Sequence, residues 1–96
     1  SKPIANLGLP HKIELITHQI LRLYQKRYRT SGIDPKGIVA AALYFAVQNQ
    51  GNNTTQKEIV KEIGITEVTM RKRYREIQEM VEYISTKKLR RIEVEA

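Results

Sequence analysis

The sequence contains no cysteine, and that single absence removes disulfides, thiolate zinc sites and cysteine nucleophiles together. It fits a reducing compartment. With no covalent staple, a chain of 96 residues has to be held by one hydrophobic core, which is feasible at this length but not generous. Long apolar runs are missing too. The longest, Ile38 to Val47, falls far short of the ~20 residues that a membrane helix needs. The opening Ser1-Lys2-Pro3-Ile4 carries no apolar signal region, so neither secretion nor a membrane span is expected. No segment alternates apolar and polar residues for long enough to form a half-buried strand, and Val, Ile and Thr do not gather between turn signals. Catalytic groupings are also absent: there is no nucleophile beside a base, no isolated carboxylate pair and no phosphate-cradling glycine loop. An enzyme is not expected, and no cofactor is implied. His11 and His18 stand seven residues apart without ligand-type company, so no metal site is expected either.

What is present suits a folded domain. Apolar residues make up 41% and charged residues 28%, an ordinary globular balance. Lysine and arginine number 17 against 10 acids, giving a net charge of +7. A basic balance suits a polyanionic partner, but charge alone decides little, and its location has to be read.

Breaker residues at Gly8 and Pro10, at Ser31-Gly32 with Pro35, at Gly51-Asn52-Asn53 and at Gly64 divide the chain into four helical segments. The fold class expected is all-α, in one domain over residues 1–96. In His11 to Arg29 the apolar residues Ile13, Ile16, Ile20, Leu23, Tyr24 and Tyr28 recur at helical spacing, and the outer face is basic. Asp34-Pro35 reads as an N-cap followed by proline at the first helical position. The segment after it, through Val47, is apolar all round, as a helix surrounded by neighbours would be. Thr55-Gln56-Lys57-Glu58 is a capping box ahead of a short helix bearing Ile59, Val60 and Ile63, which Gly64 stops. Thr66 caps a last helix running from Glu67 to about Ile84, with Glu67 placed for the helix dipole.

Two helices joined by a glycine-bearing three-residue turn make a helix-turn-helix, here about residues 55–83. On its second helix Met70, Tyr74, Ile77, Val81 and Ile84 form the buried stripe. At ~100° per residue, Val68, Arg71, Lys72, Arg75 and Glu79 then lie on or beside the outward face, with Thr69 and Arg73 on one flank. Major-groove reading requires this arrangement, because the first residues of the second helix reach base edges. Arginine bonds bidentately to guanine, and an exposed valine or threonine methyl can meet a thymine methyl. The candidate base readers are therefore Val68, Thr69, Arg71, Lys72 and Arg75. Thr55, Gln56, Lys57 and Arg73 are candidates for the DNA backbone, the first three through the amides of a capped helix start. A run of charge is ordinarily only a solvated face; the capped helix and glycine turn ahead of this one set it apart. Lys87-Lys88-Leu89-Arg90-Arg91 forms a second basic cluster, in a tail over 85–96 for which plain solvation is the simpler reading. The tyrosines Tyr24, Tyr28, Tyr44, Tyr74 and Tyr83 sit on or near apolar faces and are expected to pack in the core rather than to stack on bases.

Three blocks carry a resemblance to a known family. They are Ala5-Asn6-Leu7-Gly8-Leu9-Pro10, then Gly37-Ile38-Val39-Ala40-Ala41-Ala42-Leu43-Tyr44, and then Thr55-Gln56-Lys57-Glu58-Ile59 leading to Gly64-Ile65-Thr66-Glu67-Val68-Thr69-Met70-Arg71. Together they resemble the second cyclin-like repeat of the core domain of archaeal transcription factor B, the counterpart of the eukaryotic general initiation factor IIB. The resemblance implies a five-helix cyclin fold whose first helix survives here only as the remnant Ser1 to Gly8. It also implies that the helix-turn-helix reads the B recognition element upstream of TATA, in a complex with TATA-binding protein on bent DNA, with Val68 and Arg71 at the base-contacting positions. RNA polymerase would be engaged by parts of the family that this fragment lacks. A monomer in the archaeal cytoplasm, associated with the nucleoid, is the matching expectation. Two other readings compete: a dimeric helix-turn-helix regulator on paired half-sites, and a cyclin-like adaptor that binds a protein helix.

Overall fold

The computed structural model describes the backbone of residues 7–95 and the side chains of residues 7–87. Four helices follow one another: α1 (His11–Arg27), α2 (Pro35–Asn49), α3 (Gln56–Ile63) and α4 (Glu67–Glu95), with no strand among the described residues. The expected remnant of a first helix falls largely on residues 1–6, which lie outside the described residues.

Local chemistry sets most of the boundaries. Asp34 caps α2 by accepting the Lys36 amide at 2.9 Å, and Pro35 occupies the first turn, where a missing N–H is harmless. Thr55 caps α3 by accepting the Glu58 amide at 3.2 Å. Gly64 ends α3 at φ 86° and ψ 46°, a left-handed conformation that a Cβ would strain. Helix α1 stops at Arg27, two residues earlier than its pattern suggested, because Tyr28 turns extended and its amide closes the last turn on the Tyr24 carbonyl.

α2 is the central post. Ala40, Ala41, Ala42, Leu43 and Ala46 are wholly buried, and the helix packs against α1 on one side, α4 on another and α3 at its end. The alanines permit close approach, as does Gly37 near the start of α2. A Cβ at Gly37 would stand 3.1 Å from Thr69 Cγ2 and 3.5 Å from Arg73 Cγ. The first turns of α4 are therefore seated directly on the backbone of α2.

Two side-chain placements differ from the periodicity. On α1 the buried line is Ile13, Thr17, Ile20 and Tyr24, with the Thr17 hydroxyl donating to the Ile13 carbonyl at 2.8 Å. Leu23 is exposed, since it lies ~100° behind Tyr24 around the helix. On α4 the fully buried residues are Met70, Ile77 and Met80, whereas Tyr74, Val81 and Ile84 are half-buried. Met80 and Val81 flank the line of Ile77, and contact with the rest of the core selects Met80 as the deeper of the two. Truncating a side chain buried this completely to alanine costs about 2–5 kcal/mol.

α4 does not end near Ile84. It runs to Glu95, 29 residues in all, a length of ~43 Å at the helical rise. The segment 85–95, read from sequence as a tail, continues the helix. The side chains of Lys88, Leu89, Arg90 and Arg91 lie outside the described residues.

Candidate nucleic-acid interface

α3, the turn Gly64-Ile65-Thr66 and the start of α4 form one unit. The Gly64 and Ile65 amides both return to the Val60 carbonyl, at 2.8 and 3.1 Å, so the turn is closed by the end of α3 itself. Thr66 then caps α4. Its hydroxyl accepts the Thr69 amide at 3.2 Å and donates to the Thr69 hydroxyl at 2.9 Å. Glu67 follows in the first turn, where a carboxylate meets the positive end of the helix dipole.

Beyond that cap the structure brings Val68, Thr69, Arg71, Lys72 and Arg75 together in the first turns of α4, and all five are exposed. Val68 is 74% exposed, which is unusual for a β-branched apolar residue on an otherwise packed helix. Arg71 is not free: its Nη2 lies 3.0 Å from Glu67 Oε2, one helical turn back. Thr55 and Lys57, at the start of α3, are exposed as well, whereas Gln56 is half-buried and donates to the Tyr44 hydroxyl at 3.2 Å. Side-chain contact from Gln56 to a ligand would cost that bond; its backbone amide has no such tie.

Arg73 is turned inward. Its side chain is 14% exposed, and its Nη1 donates to Glu76 Oε1 at 2.8 Å and to the Tyr24 hydroxyl at 3.3 Å. The bond to Tyr24 raises the pKa of Arg73 further, against the opposing effect of burial and with help from Glu76. Tyr24 completes the knot by donating to Glu76 Oε1 at 2.7 Å, and the Tyr28 hydroxyl donates to the Glu76 carbonyl at 3.2 Å. Burial, more than its neighbours, pushes the Tyr24 phenol above its ordinary pKa. Arg73 thus joins α4 to α1 and is not positioned as a phosphate ligand.

A second knot holds the unit to α2. Tyr74 donates to Gln48 Oε1, Gln48 Nε2 donates to the Tyr44 hydroxyl at 2.7 Å, and Gln56 reaches that same hydroxyl. The Tyr44 and Tyr74 rings pack with centroids 5.1 Å apart. Burial raises the Tyr74 pKa as well. These tyrosines were expected in the core, and Tyr24 is fully buried, with Tyr28, Tyr44 and Tyr74 half-buried. Tyr83 is the exception. It is exposed, with Arg27 Cζ 4.5 Å and Lys87 Nζ 5.4 Å from its ring centroid, a cation–π arrangement on the surface.

Sequence reasoning missed Glu67 as the partner of Arg71, although an acid four residues before an arginine on a helix is the pairing rule itself. It also missed Glu76, whose signal was the need of Tyr24 and Tyr28 for hydroxyl partners when packed. Among the described residues no group of three or more His, Asp or Glu is arranged to hold a metal ion, and no helix is long and apolar enough to cross a membrane.

Residues 3–80, most of the chain and all of this unit's turn and exposed basic face, match the family described as the transcription factor TFIIB repeat. The chain belongs to the TFIIB repeat family. As such a repeat it is cyclin-like and all-α, which agrees with the four helices observed. The repeat is 45% identical over 74 residues to transcription initiation factor IIB of Aeropyrum pernix, covering 77% of this chain and 23% of that protein. The factor of the same name from Methanocaldococcus jannaschii is 43% identical over 75 residues, 78% of this chain and 11% of its own length. For Pyrococcus abyssi the identity is 45% over 73 residues, 76% of this chain and 24% of that protein. This TFIIB repeat therefore spans about a quarter or less of the relatives it matches. Those relatives are initiation factors and not enzymes. The match ends at residue 80, so the last stretch of α4 extends beyond the shared repeat.

Proposed function

We propose that this TFIIB repeat binds double-stranded promoter DNA during transcription initiation and reads the B recognition element upstream of TATA in the major groove. One observation carries the reading: Val68, Thr69, Arg71, Lys72 and Arg75 stand exposed together on the first turns of α4, immediately after a tight turn. Arg71 supplies the fork that matches guanine O6 and N7, and Val68 supplies apolar contact for a thymine methyl, whereas the Thr69 methyl packs toward Gly37 of α2. Lys72 and Arg75 act at bases or adjacent phosphates. Thr55, Lys57 and the backbone amide of Gln56 hold a phosphate at the capped start of α3. Arg73 has no part in the contact, since its guanidinium is committed to Glu76 and Tyr24.

The relatives' name places them in initiation, and the partners proposed here follow from it. They are promoter DNA, TATA-binding protein on the same DNA, and RNA polymerase through parts of the longer factors that lie outside this chain. The repeat acts as a monomer, in the cytoplasm and at the nucleoid of an archaeal cell. A single recognition module buries roughly 600–1,000 Å² on DNA, so modest affinity is expected of it alone.

The test is a fluorescence titration of the protein and its Arg71→Ala variant with two duplexes, one containing a purine-rich element upstream of TATA and one lacking it, at low and at moderate salt. The protein should prefer the element, and Arg71→Ala should lose about 1–3 kcal/mol mainly on that duplex. Equal binding of both proteins to both duplexes with a common salt slope would make α4 an electrostatic surface only, and a protein partner the better reading.

A further inference from the structure

The Arg71–Glu67 pair places a carboxylate inside a face otherwise suited to polyanions. Glu67 is the one acid in the first turn of α4, its side chain is 31% exposed, and it lies at the edge of a concavity walled by Tyr44, Gln48 and Thr55. A carboxylate here repels phosphate, so the basic face gains nothing from it as a plain DNA-binding surface. At the start of α4 the same carboxylate also meets the helix dipole, a local contribution separate from the Thr66 cap.

We infer that Glu67 is a specificity-determining positioning residue that holds the Arg71 guanidinium in the orientation used for reading a base; the inference rests on the DNA-reading function proposed above. A guanidinium carries five N–H donors in a planar fork. Glu67 Oε2 takes one of them, at Nη2, and the Arg71 side chain stays 57% exposed, so its other donors remain accessible to a partner. Orientation matters because arginine carries large rotamer freedom, and a fork fixed before contact loses less of it on binding. The same carboxylate makes an unselective phosphate contact by Arg71 less favourable. A guanidinium already paired with Glu67 gains little from a stray phosphate, whereas bidentate geometry at guanine uses the donors that remain. Glu67 therefore acts on discrimination more than on affinity.

The experiment repeats the two-duplex titration with Glu67→Gln, Glu67→Asp, Arg71→Ala and the double variant Glu67→Gln/Arg71→Ala. Glu67→Gln should bind the duplex without the element more tightly and narrow the preference for the element by about two- to fivefold, the range of an exposed ion pair. Glu67→Asp keeps the charge but shortens the reach, and should also narrow the preference. With Arg71 already replaced, Glu67→Gln should change both duplexes by one common factor. Two outcomes would overturn the inference: a common factor with Arg71 present, or a preference untouched by Glu67→Asp. An Arg71→Ala variant that keeps the full preference would instead sink the base-reading function itself, so the two failures are separable.

Discussion

Tyr24, Arg73 and Glu76 show how a single residue's environment sets its role. Arg73 and Arg75 are two positions apart and equally basic, yet Arg75 is exposed while Arg73 is locked between Glu76 of its own helix and Tyr24 of α1. Helical periodicity puts Arg73 on a flank, and the flank becomes interior only because α1 delivers the Tyr24 hydroxyl from 49 positions away in sequence. No local pattern contains that information, which is why Arg73 reads as a phosphate ligand in the sequence and as a brace in the fold. The exposure of Val68 and Arg71 was legible because they lie opposite the buried stripe, where no other helix intervenes. Burial raises the pKa of Tyr24, so the folded chain holds this proton more tightly than the unfolded chain does. Its contribution is intact below about pH 10 and is lost as pH rises through the raised value. Tyr24→Phe should therefore be less stable than the parent at neutral pH by about 1 kcal/mol, the worth of a hydrogen bond, but should lose less stability on going alkaline. Urea midpoints measured across the alkaline range check this. Parallel pH curves for the two proteins would contradict it.

At the scale of helices, the boundaries written in cap chemistry were readable, and those written in packing were not. Asp34-Pro35, Thr55 and Gly64 each carry their own signal, and the structure puts a helix end at every one. The end of α4 has no glycine or proline to mark it. Ser85, Thr86 and the following basic residues looked like a tail, although a helix with nothing to stop it simply continues. Gly64 offers a clean test of the turn. A Cβ there would meet nothing within 4 Å, so replacement acts through the backbone alone. Gly64→Ala should lower stability by about 1–2 kcal/mol, the cost of forcing an L-residue into the left-handed region. The denaturation midpoint should fall with an unchanged m-value. An unaltered midpoint would mean that the turn relaxes and is not fixed as described.

For the whole molecule, α2 is the part on which the exposed basic face is mounted. It is enclosed by α1, α3 and α4, it receives Thr69 and Arg73 of α4 at Gly37, and its Tyr44 and Gln48 bind Gln56 of α3 and Tyr74 of α4. The exposed basic face is thus mounted on the most buried element of the fold, as precise contact requires. The net charge of +7 adds a field that draws any polyanion, so affinity alone cannot distinguish reading from attraction. Location can. The most direct measurement is a map of backbone amide chemical shifts during titration with the element-containing duplex and then with the duplex lacking it. The account predicts that residues 67–75 and 55–57 shift most with the first duplex, and that the pattern on 67–75 weakens or changes with the second, while the outer face of α1 around Leu15 and Arg22 stays still. Shifts centred on α1, or identical patterns on α4 with both duplexes, would contradict it.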